Sequence, residues 1–290
     1  MKKVIILFYF IICILCPSFG GNGEELDSII DSSQAHRYLT RATMYGVGMT
    51  NVLDTYLSPL EYTGIEFRVS RETMRMTKLF DGNVSLQNYF QANVSYSENK
   101  AETGNSFAGL VNWNCGLHYQ FRINDNLKFL TGALGEFNGG FIYNLRNSNN
   151  PASAKAYVNL SASAMVIYHF RIKHYPMIVR YQANVPFMGI MFSPDHQQSY
   201  YEIFTVGERS NIVKFTSLHN QPSIRQMLSL DFPVRYTNLR VSYLWDVQQS
   251  HLNGLKTHTY SHLFMVGFVK NLYRIRNKDK KILPPSVRAY

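Results

Sequence analysis

The chain has 290 residues, a net charge of +10, 14% aromatic residues with 20 Tyr and 19 Phe, and three cysteines. Beyond the first 20 residues no run approaches the ~18 consecutive apolar residues of a spanning helix, which excludes helical membrane spans. The basic excess is spread along the chain and points to no nucleic-acid surface.

Met1-Lys2-Lys3 supplies a positive n-region, Val4 to Leu15 is apolar, and Ser18-Phe19-Gly20 offers the small-x-small pattern of a signal-peptidase site. The expected leader is 1–20. Its apolar stretch is shorter than the ~20 residues of a membrane anchor, and Leu15 before Cys16 and Ile12 before Cys13 are too bulky for a lipobox. Loss of Lys2 and Lys3 with no acidic residue lowers the net charge from +10 to +8. Cys115 is then left alone and no internal disulfide can form. Residues 21–40 read as a periplasmic lead-in.

From Arg41 onward the chain alternates with a period of two, the signature of a strand with one apolar and one polar face. Strand one, about Arg41 to Val52, carries Thr43, Tyr45, Val47 and Met49 on one side and Gly46 and Gly48 on the other. Strand two sets Ile65, Phe67 and Val69 against Glu66, Arg68 and Ser70. Strand three sets Phe90, Ala92, Val94 and Tyr96 against Gln91, Asn93 and Ser95. Strand four alternates Phe107, Val111, Trp113, Cys115, Leu117 and Phe121 with Asn112, Asn114, His118, Gln120 and Arg122. After the turn Asn124-Asp125-Asn126, strand five opposes Leu127, Phe129, Ala133 and Phe137 to Lys128, Glu136 and Asn138.

The polar stretch from Asn144 to Lys155 reads as an outer loop. Strand six places Val158, Leu160, Ala162, Val166 and Tyr168 against Asn159, Ser161, Ser163, His169 and Arg171. A turn at Lys173 to Pro176 leads to strand seven, where Met177, Val179, Tyr181, Ala183, Val185 and Phe187 oppose Arg180, Gln182 and Asn184. Strand eight alternates Leu228, Leu230, Phe232 and Val234 with Arg225, Ser229, Asp231 and Arg235. Strand nine alternates Leu239, Val241, Tyr243, Trp245 and Val247 with Arg240, Ser242 and Asp246. The last, about Thr257 to Leu272, is apolar on both faces at its centre.

Strands of about 9–11 residues suffice to cross a bilayer at a tilt, and a polar lumen inside an aromatic-rich exterior marks a membrane barrel. The expected fold is all-β: an antiparallel, up-and-down transmembrane barrel over 41–273, followed by a basic periplasmic tail over 274–290. Short turns after strands four, six and eight fit an even count with both ends in the periplasm. The count is ten if Met191 to Pro222 is a single outer excursion, and twelve if Tyr200 to Val206 and Ile212 to Ser217 form another hairpin.

The expected lumen positions include Glu66, Arg68, Glu72, Arg122, Lys128, Glu136, Arg171, Arg180, Arg225, Asp231, Arg235, Arg240 and Asp246. Ten strands are only slightly more than the eight whose inward side chains fill a barrel, and charges inside must be paired or hydrated. The lumen is therefore either a salt-bridged plug or, with its excess of basic over acidic residues, a narrow anion-favouring slot.

The excursion 191–222 concentrates polar and aromatic residues, and a loop of such length in a compact domain is often functional. Asp195, His196, Ser199, Glu202, Ser217 and His219 offer acid, base and nucleophile types. The two known classes of barrel enzyme fit them poorly. Omptin-like proteases need an Asp-His couple facing an Asp pair, whereas Asp195 and His196 are adjacent. Lipid A deacylases use His-x-Ser, which occurs here in reverse as Ser217-Leu218-His219. No metal-ligand spacing or cofactor motif is present.

The runs Asp54-Thr-Tyr-Leu-Ser-Pro-Leu60, Phe192-Ser-Pro, Gln198-Ser-Tyr-Tyr-Glu-Ile-Phe204, Leu230-Asp-Phe-Pro233 and Tyr260-Ser-His262 resemble an uncharacterised family of Bacteroidetes outer-membrane proteins. The resemblance implies a barrel in a Gram-negative outer membrane and carries over no site residue. The resulting expectation is a non-enzymatic barrel whose partners are outer-membrane lipid and the barrel-assembly machinery. Its outer loops, 191–222 above all, bind or gate a small ligand or touch envelope components. A lipid- or peptide-cleaving barrel is the competing class.

Overall fold

The computed structural model describes residues 38–147, 151–173, 175–195, 198–208, 210–234 and 237–273. The expected leader, the lead-in up to residue 37, the basic tail, His196 and Arg235 lie outside them. The strands are β1 (Tyr38–Asp54), β2 (Ser58–Met76), β3 (Val84–Asn99), β4 (Asn105–Arg122), β5 (Leu127–Asn144), β6 (Ala152–Ile172), β7 (Tyr175–Phe192), β8 (Val213–Ser217), β9 (Ile224–Val234), β10 (Thr237–Leu252) and β11 (Leu255–Tyr273).

The strands form one antiparallel sheet that closes on itself, because β11 pairs with β1 from Tyr38↔Tyr273 to Asp54↔Thr257. Both β8 and β9 pair with β7, at Met188–Phe192 and Ile178–Asn184 respectively. They are the outer and inner pieces of one broken stave, so the eleven strands make a ten-stave barrel. The additional hairpin of a twelve-stave barrel does not form. Glu202–Val206 is a π-helical turn, and Val213–Ser217 joins the barrel wall.

The strands run well past the bilayer minimum, to 21 residues in β6. The stretch expected as an outer loop, Asn144 to Lys155, shrinks accordingly, since β6 already begins at Ala152. Above the apolar layer a ladder can continue through polar residues, so composition there marks the water boundary and not the strand end.

Along every stave the apolar side faces outward, with Ile65 64%, Phe67 43%, Trp113 45% and Phe268 53% exposed, and the polar side is buried. A soluble protein does not present such a continuous apolar surface. Aromatic neighbours line the outside in pairs, such as Trp113 stacked on Phe137 at 5.3 Å.

Closing so few staves forces sharp bending, and glycine is placed where strands approach most closely. A Cβ on Gly116 would lie 2.0 Å from the Ala133 carbonyl oxygen, and one on Gly132 1.9 Å from that of Leu117. The two glycines sit on opposite sides of the Leu117↔Ala133 pair and form one corner. Gly116→Val should abolish the folded, heat-modifiable gel band. Gly109→Ala, whose added carbon would meet Phe141 at an ordinary 3.4 Å, should retain it.

Candidate functional site: a filled lumen under an outer lid

The lumen is built in layers. Along β2, from the outer end inward, come Glu66, Arg68, Glu72 and Met74, all buried. β10 repeats the alternation with Asp246, Leu244 and Arg240. Near the inner end Met74, Leu130, Met165, Ile167 and Ile178 form an apolar plug. A second plug of Met44, Tyr89, Met227, Leu244, Leu263 and Met265 lies at mid-height.

Between the plugs Glu72 receives both Arg180 Nη1 at 2.8 Å and Nη2 at 2.6 Å, and Arg240 Nη1 at 2.7 Å. Arg240 also donates twice to Asp231, at 2.6 and 2.8 Å. Beyond the second plug Arg68 bridges Glu66 and Asp246, each at 2.7 Å. Arg225 lies 3.3 Å from Asp246 and 3.8 Å from Glu136, and donates to Asn112 at 3.1 Å. Such charges are tolerated in a dry interior only when geometry and accessory hydrogen bonds offset desolvation. Gln87 on Glu72 and Ser261 on Glu66, both at 2.6 Å, supply those accessory bonds.

Four fully buried lumen arginines face five buried carboxylates, Glu66, Glu72, Glu136, Asp231 and Asp246. The expected basic excess is therefore not in this layer of the lumen. Arg122 and Arg171, expected inside, are exposed at the turn ends of β4 and β6, and Lys128 is half-buried. Alternation assigned their side of the strand, but depth along it decides whether that side is enclosed. A pocket of about 10 Å³, the size of one water, is lined by Asn114, Gln182 and Arg225. A larger cavity of about 70 Å³ lies above the outer ionic layer, lined among others by Arg68, Asp246, Gln248, Lys155 and Gln221.

At the outer rim the described residues of the 193–212 connection form a lid held between the β1–β2 and β10–β11 turns. Its helical turn begins with a reciprocal cap, the Ser199 amide donating to Glu202 Oε2 at 2.7 Å and the Glu202 amide to Ser199 Oγ at 3.3 Å. Ile203 is fully buried beneath it. Tyr56, in the β1–β2 turn, donates to the Gln198 carbonyl at 3.0 Å and meets the Tyr200 ring edge-on at 5.5 Å. Tyr200 accepts from the Ala154 amide at 2.6 Å and stacks between Phe192 and Phe204. Asn253 Nδ2 holds both ends of the lid, donating to the carbonyls of Ser193 at 2.8 Å and Asn211 at 3.1 Å. Below, Lys155 pairs with Asp54 at 2.8 Å.

Among the expected chemical residues, Ser199 and Glu202 cap the lid helix, and the Asp195 amide bonds Gln198. Ser217 Oγ and His219 Nδ1 are hydrogen-bonded on the exposed outer wall. Among the described residues no carboxylate is recorded as a hydrogen-bond partner of His219. Tyr56, Asn220 and Asn253 were not anticipated. Asn253-Gly254, both at positive φ, is a two-residue hairpin signal in the sequence, and it would have placed Asn253 at the outer rim.

The arrangement defines a closed ten-stave β-barrel of outer-membrane type, with a filled lumen and a lid. The chain belongs to the family described as a protein of unknown function (DUF3316), whose model matches residues 6–279. No curated protein matches it. Among solved structures it is similar to the transport unit of the autotransporter AIDA-I from Escherichia coli, with 9% identity over 86% of this chain and 94% of that one and a TM-score of 0.48. It is also similar to the translocator domain of the autotransporter NalP from Neisseria meningitidis (9% identity, 82% and 88% covered, TM-score 0.41). A third is the outer membrane protease OmpT from Escherichia coli (6%, 82% and 97%, 0.39).

Two expectations follow. Glu72→Ala removes the carboxylate that takes three bonds from Arg180 and Arg240 and should cost about 3–5 kcal/mol in denaturant unfolding, whereas exposed Arg122→Ala should change it by less than about 0.5 kcal/mol. At the rim, burial first, then Tyr200, Asp54 and Glu202, raise the Tyr56 phenol from 10.0 to about 12. The folded lid thus prefers the neutral phenol, and its contribution is complete below pH 10 and is lost as pH rises through about 12. The 295 nm titration difference between wild type and Tyr56→Phe should place this tyrosine near the upper value.

Proposed function

We propose that this protein is a non-conducting, non-enzymatic outer-membrane barrel that holds a small ligand in the outer cavity, with the 193–212 lid as its gate. The observation that carries this reading is the pairing of a polar cavity with a lid above and a sealed floor below. Two apolar plugs and two ion-paired layers leave no wide path, and the carboxylate-balanced lumen disfavours an anion slot. The apolar exterior supports residence in a bilayer, and the resemblance runs support a Bacteroidetes envelope. A leader over 1–20 and insertion by the barrel-assembly machinery complete the proposal.

A second reading is favoured by one contact. Ser217 and His219, hydrogen-bonded on the lipid-facing wall, have the nucleophile and base of a lipid hydrolase. In cells expressing Ser217→Ala or His219→Ala, lipid A and phospholipid profiles identical to wild type would sink it.

The gating reading is tested in reconstituted membranes. Wild type should show no steady conductance. In a Cys115→Ser background, a Ser250→Cys thiol in the cavity wall should react slowly with a water-soluble maleimide. Tyr200→Ala should speed that reaction about tenfold, the scale of losing one or two hydrogen bonds. Equal rates with and without Tyr200 would remove the lid, and a stable open conductance would remove the plug.

A further inference from the structure

The broken stave leaves a seam in the barrel wall. β10 pairs with β9 as far as Val247↔Ile224 and then continues to Leu252. Those last residues stay paired to β11, but on the β9 edge no strand continues the ladder, because β8 is paired to β7. On the inner side of the break, β7 bridges to β9 up to Asn184 and to β8 from Met188, leaving the residues between without a strand on that edge. In the outer third of the barrel, therefore, the backbone ladder that closes every other junction is replaced by something else between β8 and β10.

That replacement is chiefly one residue. Asn220 Nδ2 donates to the Phe215 carbonyl at 3.0 Å, and Asn220 Oδ1 accepts from the Ser217 amide at 2.8 Å, so its side chain occupies the free edge of β8. Its own carbonyl accepts from the His251 amide of β10 at 2.8 Å. One turn further in, Ser223 Oγ both accepts from the Gln249 amide at 3.1 Å and donates to the Gln249 carbonyl at 3.2 Å. Across the seam the Asn220 carbonyl and the Ser223 hydroxyl reach β10, and the Asn220 side chain fixes that carbonyl against β8, where elsewhere the wall is a continuous ladder.

The two sides of the latch differ in chemistry. Outside, Val213 (61%), Phe215 (58%) and Leu218 (52%) present exposed apolar groups. Inside, Gln221, buried at 4% exposure, together with Gln248 and Ser250, lines the cavity of about 70 Å³. The charges of its lining are already paired, Arg68 and Arg225 with Asp246, Glu66 and Glu136 and Lys155 with Asp54, so the cavity offers polar partners without a net cationic excess. A cavity of that volume suits a small polar head.

We propose that the β8–β10 seam is a lateral gate, latched by Asn220, through which a single-tailed amphipath with a small polar head passes between the outer leaflet and the cavity. This rests on the reading of that cavity as a binding site, and it assigns the site a ligand class and an entry from the membrane instead of from water.

The test uses Gln221→Cys in a Cys115→Ser background, in vesicles, probed by a lipid-linked maleimide confined to the bilayer and by a water-soluble maleimide. Adding Asn220→Ala should speed the lipid-linked reaction about tenfold, the scale of losing two hydrogen bonds, and leave the water-soluble rate unchanged. Asn220→Asp, which keeps the acceptor for Ser217 and loses the donor to Phe215, should be intermediate and guards against a folding failure of the alanine variant. A long-chain fatty acid should slow labelling of Gln221→Cys, while acetate and a lysophosphatidylcholine should not. A lipid-linked rate indifferent to Asn220, or protection by acetate equal to that by the fatty acid, overturns the gate. Loss of the water-soluble response to Tyr200→Ala instead overturns the lid reading and is scored independently.

Discussion

A bilayer core offers no hydrogen-bond partner to a backbone, so a strand there must be paired on both edges or the structure fails. Everything else in this chain follows from meeting that condition with a small number of staves. The pairing of β1 with β11 along their full lengths, from Tyr38↔Tyr273 to Asp54↔Thr257, removes both edges at once. The circumference is then set, and with it the space inside. A barrel this narrow has to fill its interior with its own inward side chains, and it must bend hard enough that Gly116 and Gly132 leave no room for a Cβ between their strands.

The filling is chosen as layers and not as a mixture. Apolar plugs of methionine, leucine and isoleucine lie above and below the Glu72 set, so each charge there has to be answered by a fixed partner. Glu72 illustrates the outcome, taking two prongs from Arg180, one from Arg240 and an amide from Gln87. An isolated charge at that depth would cost several kcal/mol, and the bidentate geometry is what makes the arrangement tolerable. The same arrangement makes the inner lumen a rigid floor. The outer third keeps a smaller apolar cluster of Val52, Ala108 and Ile142 and is otherwise closed by polar side chains and one connection.

Alternation was enough to read the ten staves, the outward face and the polar faces of strands such as Met177 to Phe187, because a period of two survives wherever one side meets lipid. Depth was not readable by the same signal. Arg122 and Arg171 keep the parity of the lumen residues yet sit exposed beside the turns. The stretch from Asn144 to Lys155 looked like a loop because its polarity reports water, and the ladder continues through much of it. The rim was least legible. Tyr56, Tyr200 and Asn253 act through contacts between turns distant in sequence, and no local pattern encodes those. Asn220 is less visible still, since its role depends on β8 and β9 being two pieces of one stave.

That broken stave is the one place where the closing condition is met without a ladder. Each unsatisfied backbone group in hydrocarbon costs several kcal/mol, so a break at mid-membrane would not persist. Here it lies at the outer end, with Asn220 and Ser223 answering the exposed amides and carbonyls on both sides. Asn253, in the turn that caps β10, grips both ends of the lid through Ser193 and Asn211. The lid and the seam are thus anchored to the same strand end, and a shift of the outer end of β10 would loosen both together. Side-chain latches release at far lower cost than a continuous ladder, so the fold keeps its inner two thirds fixed and concentrates its capacity to open at this corner.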